Sequence, residues 1–134
     1  MPRNCPDNSP WGRIDHFTKI CDGVYSVSTA SHGGIMAATS KAPHIFSAEA
    51  LQHGFTESGY VCFEEDCAAT VALRELIDRH LYKPPVNEYW KPGEYVAVID
   101  ASVKRWYPNY WAARESGATR TPAAPKRSKK ERER

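Results

Sequence analysis

The chain lacks any long apolar run and any internal repeat, no secretory leader is expected, and each of these removes a class of protein. Its longest purely apolar stretches are a few residues, such as Val96-Ala97-Val98-Ile99, far short of the roughly 18–20 residues that span a bilayer. No membrane partner is expected. The first residues, Met1-Pro2-Arg3-Asn4-Cys5-Pro6-Asp7, carry no apolar stretch behind their single arginine, so a secretory signal is not expected and a cytoplasmic location is. Cysteine is scarce, with four residues in 134, and a reducing compartment favours thiols over bridges. The rest is ordinary for a globular protein: 41% hydrophobic, 11% aromatic and 25% charged. A chain of 134 residues supports one hydrophobic core, not two.

A basic footprint is also missing from most of the chain. The formal charge of +2 hides a split, because residues 117–134 hold seven basic side chains against two acidic ones, a net of +5. Subtraction leaves residues 1–116 at −3. A nucleic-acid-binding domain displays its positive charge on folded surface, whereas here the excess falls in the tail.

Three segments follow: an extended N-terminal stretch at 1–10, one α+β domain at 11–116, and a disordered basic tail at 117–134. Within the domain, Val24 to Thr29 reads as a strand, and Gly33-Gly34 turns it into a second strand at Ile35 to Thr39. Ser47 caps a short helix that runs to about His53, with Gly54 as its left-handed terminator. Tyr60 to Phe63 is extended. A longer helix is predicted from about Glu65 to Tyr82, with apolar residues at three- and four-residue steps and Pro84-Pro85 beyond its end. Glu94 to Ile99 reads as a further strand, Asp100 as a cap, 101–106 as a turn, and 108–116 as a last helix closed by Gly117. The predicted fold class is α+β: a small antiparallel sheet packed against two or three helices.

Two clusters carry the chemistry. Ser28-Thr29-Ala30-Ser31-His32-Gly33-Gly34 puts hydroxyls, an imidazole and two glycines into one bend. Ser31 and His32 are adjacent, so on a strand they point to opposite faces and pair poorly as nucleophile and base. Glu64-Glu65-Asp66 stands where the long helix is predicted to begin, and acids there stabilise the helix dipole by a few tenths to about 1 kcal/mol each. Were His32 to meet one of these carboxylates across the fold as a buried pair, a functional role would be favoured. The candidate binding residues are Ser31, His32, Gly33, Gly34, Glu64, Glu65 and Asp66. Cys62 and Cys67, with His32 or His44, fall outside the tight zinc-knuckle spacing, so no metal and no cofactor is assigned. Trp106, Tyr107, Tyr110 and Trp111 are expected to pack against the sheet.

Trp11-Gly12, the serine- and glycine-rich bend, Phe63-Glu64-Glu65-Asp66-Cys67, and Trp106-Tyr107-Pro108-Asn109-Tyr110 together resemble a family of small domains common on bacterial plasmids, integrated elements and phages. The resemblance covers about residues 10–115. The chain departs from it at Ala30, where the family carries proline, and at Ala68-Ala69, where an aromatic is usual. No catalytic residue is carried over. The resemblance implies an accessory protein of a mobile element that antagonises a host defence complex, such as a CRISPR-Cas effector, by binding a protein surface. A small hydrolase or transferase using His32 with Glu64, Glu65 or Asp66 is the second reading. The third is a nucleic-acid-binding accessory protein, its tail making weak, salt-sensitive phosphate contacts.

Overall fold

A computed structural model describes residues 5–124 as an α+β fold. Strands β3 (His16–Cys21), β4 (Val24–Ser28), β5 (Gly33–Ala38), β6 (Phe55–Glu57) and β7 (Tyr60–Glu64) form one antiparallel sheet in the order β3-β4-β5-β7-β6. A second, two-stranded ribbon pairs β1 (Asn8–Ser9) with β2 (Gly12–Arg13). The helices are α1 (Ala48–Leu51), α2 (Ala68–Asp78), α3 (Glu94–Trp106) and α4 (Pro108–Ser116).

Strand alternation sends side chains to two different cores. Val24, Ile35, Ala37 and Phe63 face the helices, where they meet Phe46, Leu76, Val103 and Tyr110. Each large side chain fully buried there contributes about 1.5–3 kcal/mol. Tyr25, Val27, Met36 and Cys62 face the other way. The N-terminal segment covers them, with Cys5 only 2% exposed and Trp11 and Ile14 packed alongside. Ile14 donates its N–H to the Asp7 carbonyl at 2.9 Å. The segment expected to be a loosely packed lead-in is therefore the lid of the second core.

The Ser47 cap and α4 lie where the sequence places them, and β4 and β5 are joined by a bend, but Gly33 and Gly34 do not form it: they are the first paired residues of β5, and the chain turns at 29–32. Ser47 Oγ accepts from Ala50 N–H at 3.1 Å, and Gly117 closes α4 in the left-handed region. Gly54 does not terminate α1 in that way. It is small because a Cβ there would stand 2.8 Å from Val61 Cγ1 and 3.0 Å from the Phe63 ring. β3 was not predicted, and its exposed edge position explains why: four of its six residues are exposed, so no alternation betrays it.

The principal correction concerns residues 94–106. The predicted strand, cap and turn are one helix of 13 residues. A short β-branched apolar run fits either structure. What decides is the four-residue spacing of Tyr95, Ile99 and Val103, which turns one face toward the core while Val98 remains 53% exposed. Asp100 is not a cap but accepts from Arg74 Nη1 at 2.8 Å. Helix α2 is shorter than predicted at both ends, and His80 leaves it with a φ of +60°.

The predicted tail starts too early. Thr119 is buried, and Ala123 and Ala124 donate to the carbonyls of Phe46 and Pro43. Arg79 supplies the reason, its guanidinium holding the main-chain carbonyls of Thr119 and Arg120 at 2.9 and 2.8 Å. The segment needs few apolar side chains of its own. The rest of the tail reading, at 125–134, lies outside the described residues.

Candidate functional site

The bend between β4 and β5 is held by Thr29. Its hydroxyl donates to the His32 carbonyl at 2.8 Å and accepts from the His32 N–H at 3.0 Å and the Ser31 N–H at 3.3 Å, a side-chain turn. The Thr29 N–H closes the bend on the His32 carbonyl at 2.7 Å. The same hydroxyl lies 3.3 Å from the Trp11 carbonyl, which brings the N-terminal segment to the bend.

Antiparallel pairing then sets Gly34 opposite Glu64, and Glu65 extends the ladder by donating to the Gly33 carbonyl at 3.0 Å. Across this junction His32 Nε2 meets Glu64 Oε2 at 2.7 Å. Gly34 has no side chain because the edge of the Trp11 ring takes its place: a Cβ would stand 2.5 Å from the Trp11 Cη2 atom. The three motifs around Trp11, His32 and Glu64 thus form one contiguous surface.

The His32–Glu64 pair is not buried, with side chains 40% and 46% exposed. The hydrogen bond to Glu64 raises the His32 pKa above its ordinary 6.5; burial opposes the rise, and the Ser31 backbone and the Glu64 and Glu65 charges add to it. In the imidazolium form Nε2 donates to Glu64 at 2.7 Å. The Ser31 N–H serves the bend itself, donating to Thr29 Oγ1 at 3.3 Å.

The acids do not head a helix. Glu64 ends β7, Asp66 turns the chain with a φ of +68°, and α2 starts at Ala68 with no acid in its first turn. The dipole account of the acidic run is overturned, and its three carboxylates sit at an exposed corner. Asp66 and Cys67 line a cleft of about 360 Å³ with Trp106 and Tyr107. The fourth motif therefore meets the third. The expected burial of the aromatic group holds for Tyr110, 1% exposed, and partly for Tyr107 and Trp111, but Trp106 is 63% exposed beside that cleft. Burial raises the Tyr107 pKa, with smaller contributions from Cys67 and Glu64.

Cys62 and Cys67 are kept apart by the sheet. Cys62 lies in the second core, where burial pushes its thiol up to about 11, and Cys67 is exposed at the corner. Among the described residues no three histidine, cysteine, aspartate or glutamate side chains form a metal-holding group. No helix among them is long and apolar enough to cross a membrane.

Sequence reasoning missed a polar knot under the helices. Glu75, fully buried, accepts from Ser47 N–H and Ser47 Oγ at 2.6 Å each, from the Tyr110 hydroxyl at 2.7 Å and from Arg79 Nη2 at 3.2 Å. The Glu75-to-Arg79 spacing of one helical turn was its only sequence signal.

A family model described as a domain of unknown function, DUF7007, matches residues 4–134. No curated protein and no solved structure matches the chain.

Proposed function

Taking as premise that the chain belongs to the DUF7007 family, we propose that it is a binding protein that inhibits a host defence complex, such as a CRISPR-Cas effector, on behalf of a mobile element. One observation carries this reading: motifs far apart in sequence, around Trp11, His32, Glu64 and Trp106, gather at one exposed corner of the sheet. Backbone hydrogen bonds hold that corner, and an exposed aromatic ring is a typical anchor of an interaction surface, with the carboxylates suited to its polar rim. The acidic run complements a basic groove on a partner, the kind of groove that accommodates nucleic acid. A protein that occupies such a groove needs no turnover.

The test is target cleavage by a purified effector complex with the protein in molar excess. Inhibition by the parent and its loss in Trp106→Ala and Glu64→Gln, both still folded, are the expected results. Unimpaired cleavage across the effector types tried, or equal inhibition by the folded variants, would refute it.

The 2.7 Å contact between His32 and Glu64 favours a second reading, a hydrolase or transferase in which the carboxylate orients the imidazole. It requires the ring to lose its extra proton and offer a lone pair to the substrate. That reading predicts turnover of an ester, phosphoester or glycoside by the parent, abolished in His32→Ala at an unchanged melting temperature.

A further inference from the structure

Five of the eight lysines and arginines that the sequence scatters along residues 74–120 are gathered by the fold into one place. Two clefts share a wall at Asp78: one of about 500 Å³ lined by Arg74, Tyr82 and Lys83, the other of about 310 Å³ lined by Arg79, Arg114 and Arg120. Both volumes fall in the range of about 300–1,000 Å³ typical of ligand sites. The excess positive charge rests on Lys83 and Arg120, because three carboxylates match the other three cations: Glu75 holds Arg79, Asp100 holds Arg74, and both Arg74 and Arg114 hold Asp78. Burial opposes the ionisation of Asp78, but hydrogen bonds from Arg114 and Arg74 overcome that and hold its pKa below the usual carboxylate range. One carboxylate is thus shared by two guanidiniums, with Arg114 Nε at 2.8 Å and Arg74 Nη2 at 3.0 Å. Arg79 spends most of its fork on neutral carbonyls, those of Ile45, Thr119 and Arg120. Lys83 and Arg120 are exposed and have no carboxylate partner among the described residues.

We propose that this double cleft binds the phosphodiester backbone of a nucleic acid, with Lys83 and Arg120 as its free cations and the Arg74–Asp78–Arg114 bridge as its floor. Two arguments select a polyanion over a single small anion. The clefts lie on either side of one residue, so a ligand that uses both must extend past it and carry charge at each end. Residues 126–134 also add six basic side chains against two acidic ones, and the chain leading to them is anchored beside the second cleft through Arg79 and the carbonyls of Thr119 and Arg120. Guanidinium forks match phosphate oxygens, and lysine acts as a mobile point charge. The surface is distinct from the acidic corner and does not depend on the inhibitor reading.

Fluorescence anisotropy of the full-length protein tests the proposal, with labelled single-stranded DNA and RNA of one sequence, about 16 nucleotides long, and the DNA duplex. Salt is varied between about 50 and 200 mM. Lys83→Glu with Arg120→Glu is expected to weaken binding at least tenfold and to flatten the single-strand salt slope by about 1.4, two contacts at roughly 0.7 each. Lys129→Glu with Lys130→Glu measures the tail in the same full-length chain, and its effect should multiply with that of the cleft pair. Equal binding of DNA and RNA identifies the shared phosphate chemistry, and a preference for RNA adds a contact to the 2′-hydroxyl. Should the charge reversals shift the thermal melt, Lys83→Gln with Arg120→Gln replaces them, with a loss of at least threefold expected. The proposal is overturned if the parent binds none of the three at the lowest salt. Unchanged affinity and salt slope in the cleft variants, with binding lost in the tail variant, overturns it equally.

Discussion

Replacing Glu75 with alanine should be the most damaging single change in the helical layer. The carboxylate is fully buried and accepts from four donors: Ser47 N–H, Ser47 Oγ, Tyr110 Oη and Arg79 Nη2. Breaking a buried ion pair by deleting one partner costs about 3–5 kcal/mol, and stranded hydroxyl donors fall within that figure only if they find new acceptors. For a body of this size each kcal/mol moves the melting temperature by about 3–5 °C, so a fall of roughly 10–25 °C is expected. That is a large share of a net stability of about 5–15 kcal/mol. Circular dichroism melts and urea titrations of the parent and Glu75→Ala measure it. Tyr110→Phe removes one donor and should cost about 1–2 kcal/mol, and the cycle with Glu75→Gln should show coupling between the two sites. A Glu75→Ala protein that melts within about 3 °C of the parent, a shift worth no more than about 1 kcal/mol, would refute the reasoning and point to a role other than packing.

The pH dependence of the exposed pair has a defined sign. Because the folded pKa of His32 is raised above 6.5, its stabilising contribution is complete below that value and fades as pH rises through the folded pKa. NMR titration of the imidazole should show the raised value in the parent and a return toward 6.5 in Glu64→Gln. Gly34→Ala forces a methyl against the Trp11 ring and the Phe63 carbonyl, and should cost about 1–3 kcal/mol with a change in tryptophan emission, both read in a single urea titration. Iodoacetamide at mildly alkaline pH should label exposed Cys67 well before buried Cys62, whose thiol is pushed up to about 11. Peptide mass spectrometry with time would report the order, and simultaneous labelling would count against the burial of the second core.

Local signals were legible and long-range ones were not. β-Branched and aromatic residues marked β4, a glycine pair marked the approach to β5, a serine marked the start of α1, and glycine marked the end of α4, because each is decided by neighbours in sequence. The meeting of His32 with Glu64 depends on the register of β5 against β7, which nothing local specifies. Residues 94–106 were misread because four apolar residues in a row satisfy a strand as well as a helix, and only burial chooses. The acids at 64–66 suggested a helix start, yet Asp66 adopts a positive φ and moves that start to Ala68. The cleft was hidden because its arginines are interleaved with Glu75, Asp78 and Asp100, so the local net charge stayed small.

Glu75 also constrains the order of events while the chain is being made. Its Tyr110 partner lies 35 positions later, and the carbonyls that occupy its neighbour Arg79 lie 40 and 41 positions after that arginine. At about 5–20 residues per second, translation leaves the nascent layer with an unmatched carboxylate and guanidinium for on the order of 2–8 seconds. Over that interval the two side chains have only each other, Ser47, the Ile45 carbonyl and water, and the sheet must wait for its helical cover to set.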